Sequence, residues 1–319
     1  MHIVMLERDS VGGDVSVEGI RQFGEVTEYH NTIASDVARK VKDADIIIAN
    51  KAPLNEDTLK DAPYVKFICQ FATGYDNIDL AYCKKRGIKV ANVKDYSTAA
   101  VAQHTFALCF YILEKLKHYD EYVKSGGYTG QSAFSCFDLP FTELDGKTWG
   151  IVGMGNIGKR VARIAEAFGC NVIFYSASGH STCTDYRQVD MDTLLGESDF
   201  ISLHCPLSAR TRNLMNIEAF QKMKQTAILI NVARGPVVND GDLYTALTMD
   251  YIAGAGLDVT STEPMKAQNP LSRIMDSNKL IITPHLAWAS TEARNRVVEE
   301  AGKNIEAFLN GIDRNIVNP

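Results

Sequence analysis

The sequence predicts an α/β protein built from two doubly wound parallel-sheet domains, and three observations carry that expectation. Ten short apolar runs recur along the 319 residues, with helical patterns between them. The runs are continuously apolar rather than alternating, as strands buried on both faces of a parallel sheet must be. The chain is also too long for one ordinary core, which favours two domains.

In chain order the strand-like runs are HIVML (2–6), DIIIAN (45–50), VKFICQ (65–70), IKVAN (88–92), TWGIVG (148–153), NVIFY (171–175), DFISLHC (199–205), AILINVA (227–233), IAGAGLDV (252–259) and KLIIT (279–283). Crossover helices between them give repeated β-α units, hence double winding. The stretch 96–127 reads as one long helix, capped by Ser97 or Thr98. Val101, Thr105, Leu108, Ile112 and Leu116 fall at steps of three or four and mark its buried stripe. A helix of that length suits a bridge between two domains. A second strong helix covers 290–311, started by Ser290 or Thr291 and followed by Gly311. The strands from about 148 to 283 lie between these helices and form one domain. The first hundred residues, rejoined by the tail, form the other.

Composition narrows the function classes. The chain is 45% hydrophobic and 23% charged, ordinary for a globular enzyme-sized protein. A net charge of −6 weighs against a nucleic-acid or anionic-membrane partner, since either wants a basic face. No apolar run approaches the ~20 residues needed to span a bilayer. The opening MHIVMLERDS reads as a strand followed by charges, not as a signal peptide. The seven cysteines are scattered with no CxxC pair, so neither a metal site nor a disulfide framework is expected. They read as small core residues of a protein in a reducing cytoplasm.

GIVGMGNIGKRVARIAEAFG sets Gly153, Gly155 and Gly158 in GxGxxG spacing between a strand and a helix. That context is the one a dinucleotide fingerprint requires. Gly153 allows a tight turn, Gly155 lets backbone approach a pyrophosphate, and Gly158 lets helix and strand pack closely. The amides of Asn156 and Ile157 then open the helix toward the phosphates. Val161, Ile164, Ala165 and Phe168 supply the helix's inner face. The next strand ends in Ser176, where an Asp or Glu would hold the ribose 2′-hydroxyl, and no Arg follows within ten residues. A missing acid removes the repulsion that would exclude a 2′-phosphate, and Ser176 and Ser178 are able to donate to one. Both NAD and NADP therefore stand as the cofactor. Backbone groups holding the ribose, with the serines ordinary loop residues, is the plainer alternative.

Three later strands each end in a reactive residue: Arg234 after AILINVA, Asp258 and then Glu263 after GAGL, and His285 after LIITP. Ligands of open parallel sheets bind beyond the carboxyl ends of the strands. A cation, a carboxylate and an imidazole on one rim suit hydride chemistry on a 2-oxo acid. The cation forks onto the substrate carboxylate. The imidazole gives or takes the hydroxyl proton, and the carboxylate fixes its tautomer and favours its charged form. Taken singly, each has a plainer role, as a surface ion pair, a turn cap or an interior histidine. Their joint appearance after the glycine loop favours the chemistry.

These residues carry a resemblance. The chain resembles the D-isomer-specific 2-hydroxyacid dehydrogenases over nearly its whole length. The matching stretches include FATGYDNIDL (71–80), YSTAAVAQHTFAL (96–108), LDGKTWGIVGMGNIG (144–158), SDFISLHCPLSARTRNLMN (198–216), AILINVARGPVVN (227–239), AGAGLDV (253–259), EP (263–264) and TPHLAWAS (283–290). Within the family it looks most like the glycerate dehydrogenase, or hydroxypyruvate reductase, branch. The resemblance implies a Rossmann cofactor domain over 99–286 and a flavodoxin-like substrate domain, discontinuous over 1–98 and 287–319. It implies that Arg234 binds the substrate carboxylate and carbonyl, and that Glu263 pairs with the acid/base His285. Asp258 would hold the nicotinamide carboxamide, and Pro206, Thr211, Asn231, Val232 and Ala233 would line the cofactor cleft. Thr73, Gly74 and Tyr75 would offer amides to the substrate, with Asn50 and Lys51 on a neighbouring loop. The long helix and the segment after it would build a homodimer. Two departures stand out: Ser176 replaces a frequent Asp, and Trp288 stands where many members have glycine, which should narrow the pocket or cover the nicotinamide.

The expected activity is interconversion of a small 2-oxo acid with its D-2-hydroxy acid, hydroxypyruvate or glyoxylate first and pyruvate or a bulkier acid second. An alternative of another class is a corepressor-like module that senses NAD(H) and binds protein. The absence of added basic or disordered tails gives that reading less support.

Overall fold

The computed structural model describes residues 1–319. The chain divides into two compact units, Met1–Ser97 with Ala289–Pro319, and Thr98–Trp288.

The first unit holds β1 (His2–Met5), β2 (Glu25–Glu28), β3 (Ile46–Ala49), β4 (Phe67–Gln70) and β5 (Lys89–Ala91). They pair in parallel in the order β2-β1-β3-β4-β5, the doubly wound flavodoxin-like order. The central strands β3 and β4 are buried at every residue, which is why they read as unbroken apolar runs. The helix Thr291–Leu309 covers this sheet. Ser290 caps it by accepting from the Ala293 amide, and Phe308 stacks on Phe67 with ring centroids 4.4 Å apart. Gly311, with φ 72°, turns the chain away after it.

The second unit holds β6 (Thr148–Val152), β7 (Asn171–Tyr175), β8 (Arg187–Gln188), β9 (Phe200–Leu203), β10 (Ile228–Asn231), β11 (Gly254–Leu257) and β12 (Leu280–Ile282). All pairs are again parallel, in the order β8-β7-β6-β9-β10-β11-β12. Counted from β6 this is the Rossmann order 3-2-1-4-5-6 with a seventh strand added. Trp149 is fully buried and stacks near Phe200 and Phe106, while its indole N–H donates to Ser202 Oγ at 2.9 Å.

The structure corrects the sequence reading in four places. The stretch 96–127 is not one helix. It forms Thr98–Leu113, Leu116–Lys124 and a short turn Gly127–Gly130, broken at Lys115, whose φ is +54°. Lys115 and Lys117 reach across to Asn278 O and Ser277 Oγ, so tertiary contacts fix the break rather than glycine or proline. Leu116 consequently leaves the buried stripe and lies 46% exposed. Phe168 ends its helix outside the core, 45% exposed, touching Phe106 and Phe110 edge-on or tilted. The strands β2 and β8 have no counterpart among the apolar runs. Both are sheet edges, with one paired side and largely open faces.

Candidate active site

The carboxyl ends of β10, β11 and β12 carry three turns that lock together. The first follows β10. Asn231 is fully buried, and its side chain accepts from the Ala233 amide and donates to Arg234 O. That small loop sets Arg234 in extended backbone just before the turn Gly235–Val237, and Arg234 Nη1 donates to Ala233 O at 2.8 Å. Gly235 then lies against the second turn. A Cβ there would sit 1.7 Å from Thr260 O. Glycine is what allows the Arg234 turn and the Glu263 turn to touch.

The second turn, after β11, is held by Asp240. Its carboxylate accepts from Ser261 Oγ at 2.5 Å and from Asn269 Nδ2 at 2.6 Å. Glu263 Oε1 accepts from the Thr260 amide at 3.3 Å, and its other oxygen meets His285 Nδ1 at 2.8 Å. His285 sits at φ +58°, uncommon for a side chain larger than glycine although histidine is enriched there. Asp258 stabilises that conformation from beneath. Its main-chain oxygen accepts from His285 N, and its carboxylate accepts from Leu286 N at 2.7 Å, Ala287 N at 2.8 Å and Thr283 Oγ1 at 2.6 Å. Asp258 is only 1% exposed, so these three charge-assisted bonds define its role in the fold. A strained residue fixed this firmly is a functional candidate.

With Nδ1 committed to Glu263, Nε2 is the ring nitrogen placed to exchange a proton. Both side chains stay partly open, 25% for His285 and 35% for Glu263. The pair therefore keeps access to a ligand while staying ordered.

The glycine loop fits a dinucleotide. Gly153, φ +95°, donates its N–H to Tyr175 O at 3.0 Å. A Cβ at Gly158 would lie 2.2 Å from Gly153 O, so helix and strand pack as closely as the fingerprint demands. Gly155 caps the helix Asn156–Ala167 and faces open space, leaving the amides of Asn156 and Ile157 at a helix start. Among the remaining cleft candidates, Thr211 is buried. Its hydroxyl donates to Pro206 O and accepts from Ser208 N, so it shapes the 206–211 turn. Val232 is half-buried and Ala233 buried beside Asn231. Ser176 and Ser178 both donate to His180 O, closing a small loop at the end of β7. Trp288, the last residue of this unit, is half-buried.

In the other unit, the loops after β3 and β4 are fixed to each other. Gln70 donates to Asn50 O, Gly74 O and Asn77 Oδ1, and Asn77 donates to Ala52 O. Glu7 accepts from the amides of Asn50, Lys51 and Ala52. Asn92 and Val93 hold Thr73 from the far side. Tyr75 is exposed at the tip.

Sequence reasoning missed several contributors. Asp240 and Thr283 are anchors that only the folded turns reveal. His104 lies on the helix Thr98–Leu113, bonds Thr283 Oγ1 at 2.9 Å and stands 3.5 Å from Asp258. Its one sequence signal is a polar residue within an apolar helical stretch. His204 follows β9 with both ring nitrogens buried and unbonded, and burial pushes its pKa down to about 3. Its backbone runs beside the glycine turn, where a Cβ on Gly153 would lie 2.9 Å from the His204 carbonyl carbon. Arg210 is a fifth, taken up below.

Comparison with known proteins fits this geometry. The model of the D-isomer specific 2-hydroxyacid dehydrogenase NAD-binding domain matches residues 106–287. A hydroxypyruvate reductase from Blautia hydrogenotrophica is 39% identical, with 100% of both chains covered. A glycerate dehydrogenase from Methylorubrum extorquens is 37% identical over 99% of this chain and 98% of its own. A D-lactate dehydrogenase from Aquifex aeolicus, solved with NAD and lactic acid, superposes with a TM-score of 0.87 at 30% identity, covering 100% of this chain and 99% of its own.

Proposed function

The chain belongs to the D-isomer specific 2-hydroxyacid dehydrogenase family, and from that premise we propose that it reduces hydroxypyruvate or glyoxylate to D-glycerate or glycolate. It is an NAD(P)-dependent oxidoreductase that interconverts 2-oxo and 2-hydroxy acids. The observation that carries the proposed mechanism is the 2.8 Å contact between His285 Nδ1 and Glu263.

Bound NAD(P)H supplies a hydride to C2 of the 2-oxo acid. His285 delivers a proton from Nε2 to the carbonyl oxygen as that oxygen gains charge. Glu263 holds the ring's tautomer and orientation and offsets the charge on the imidazolium before it gives up the proton. Arg234 grips the substrate carboxylate and polarises the carbonyl. Thr73, Gly74 and Tyr75, with Asn50 and Lys51, remain the substrate-binding candidates of the other unit. Trp288 limits the substrate side chain, which favours short acids. The glycine loop takes the pyrophosphate, and the cleft residues Pro206, Thr211, Asn231, Val232 and Ala233 line the dinucleotide. The carboxylate of Asp258 is occupied by three protein donors, so its part is to position His285 as much as to meet the carboxamide.

A steady-state matrix of NADH and NADPH against hydroxypyruvate, glyoxylate, pyruvate and larger 2-oxo acids tests the assignment. Fastest turnover with one of the first two is the expected result. A clear preference for pyruvate or a bulkier acid moves the substrate within the class. Tight cofactor binding with no turnover on any acid refutes the dehydrogenase and favours the protein-binding module.

We further infer a homodimer. Phe134, Phe137 and Phe141 are 92%, 85% and 56% exposed on the segment after the helix Leu116–Lys124, a concentration of apolar surface that wants a partner. We also infer a cytoplasmic setting, which the seven unpaired cysteines support; no helix is long and apolar enough to cross a membrane. Mass in solution and cell fractionation check these two statements.

A further inference from the structure

We propose that Arg210 reads the 2′ position of the cofactor's adenosine and makes this chain prefer NADP(H) over NAD(H). The inference rests on the NAD(P)-dependent reading above. An open cleft of about 530 Å³ lies at the carboxyl end of β7, lined among others by Ser176, Ser178, Gln188, Asp190 and Arg210. The Gly153 N–H to Tyr175 O bond ties the glycine turn to that strand end. An adenosine whose pyrophosphate sits on the glycine loop brings its ribose there.

The chemistry of the lining departs from that of an NAD site. Where a carboxylate would accept from the 2′-hydroxyl and repel a phosphate, the chain has Ser176. The cation comes from elsewhere in the fold. Arg210 sits on the turn after β9, which is fixed by the Ser208 N to Thr211 Oγ1 bond at 2.7 Å and by Arg210 N donating to Ser208 Oγ. Its Nη1 donates to Ser178 O at 3.3 Å, so the exposed guanidinium lies against the serine loop. The one acid in the lining, Asp190, is engaged as a helix cap, accepting from the Thr193 amide at 2.7 Å. Arg187, the other cation nearby in sequence, is paired with Glu197. Arg210 is thus the cation that lines the cleft, and a guanidinium fork matches phosphate geometry. The two serine hydroxyls turn from His180 O to the phosphate when it binds.

The test uses the full-length wild-type protein and direct binding, by calorimetry or nucleotide fluorescence, of NADPH, NADH and the fragments 2′,5′-ADP and 5′-AMP. No turnover is needed, so this result is independent of whether the dehydrogenase reading survives. Wild type should bind each 2′-phosphorylated ligand about tenfold or more tighter than its partner, with the gap narrowing as salt rises. Arg210→Gln should weaken NADPH and 2′,5′-ADP by about ten- to hundredfold while moving NADH and 5′-AMP by less than about threefold. Arg210→Lys should recover part of the loss, because it keeps the charge but not the fork. Arg210 is exposed, and an unchanged unfolding temperature will show that the variants fold. Equal wild-type affinity for the two cofactors, tighter NADH, or a Gln variant that weakens both cofactors equally overturns the proposal.

Discussion

Replacing Gly235 with alanine places a Cβ 1.7 Å from Thr260 O, 2.0 Å from the Thr260 carbonyl carbon and 2.6 Å from Ser261 N. All three are backbone atoms, so no flexible side chain can swing aside. Real Cβ contacts essentially never fall under 3.0 Å, so the two turns must part by more than an ångström. One turn begins at Arg234 and the other leads to Glu263, so the separation falls on the two residues proposed to act on the substrate. Overpacking costs ~1–3 kcal/mol, and a clash between two backbones belongs at the upper end. For a unit of this size ~3 kcal/mol lowers Tm by roughly 6–12 °C. A misplacement of ~1 Å costs about 10²-fold in rate. The assay pairs thermal unfolding with turnover of the preferred 2-oxo acid. Gly196→Ala is the control: the site is helical, meets no atom within 4 Å, and should hold or raise Tm, a gain of up to ~1 kcal/mol. A Gly235→Ala variant with wild-type Tm and wild-type turnover would refute the coupling of the two turns.

Three further outcomes are expected. Arg234→Ala should raise the apparent KM at least about tenfold and lower kcat, with Arg234→Lys intermediate; unchanged kinetics would remove the carboxylate role. Asp258→Ala strands one buried amide, one part-buried amide and a hydroxyl, so denaturant unfolding should show a loss of about 2–4 kcal/mol, and a loss below ~1 kcal/mol would contradict the anchoring role. His204 gives a pH prediction. Its folded pKa lies below its unfolded value of 6.5, so the unfolded chain takes up a proton that the native state refuses. Stability from this residue is complete above about pH 6.5 and declines by about 1.4 kcal/mol per unit as pH falls toward about 3. His204→Leu should reduce the acid slope of unfolding free energy by that amount, and parallel slopes for variant and wild type would sink the assignment.

The relation of sequence to structure follows from where the information sits. Strands such as β3, β9 and β10 are buried at every position because both faces are covered, and their mostly apolar residues are legible as runs. β2 (EVTE) and β8 (RQ) are held by main-chain pairing to one neighbour, and their side chains carry no trace of it. The break at Lys115 is equally silent, since the apolar spacing runs on through Leu116 and the kink is set by distant partners. The glycine spacing and the strand-end residues Arg234, Glu263 and His285 were readable because strand ends are rigid, local positions. The groups that orient them were not. Asp258 gathers donors more than twenty residues downstream, Asp240 reaches Ser261 and Asn269, and Arg210 meets Ser178 only because adjacent crossovers share one edge of the sheet. Nothing in the residues just after Ser176 points to it.

The most direct measurement is single-turnover reduction of hydroxypyruvate or glyoxylate by wild type and His285→Ala, with cofactor affinity measured on the same samples. Proton transfer by a positioned imidazole contributes ~10²–10⁴-fold, so the variant should lose that much rate while binding cofactor nearly as wild type does. A His285→Ala variant that reduces the acid at the wild-type rate would contradict the assignment of His285, held by Glu263, as the acid/base of this enzyme.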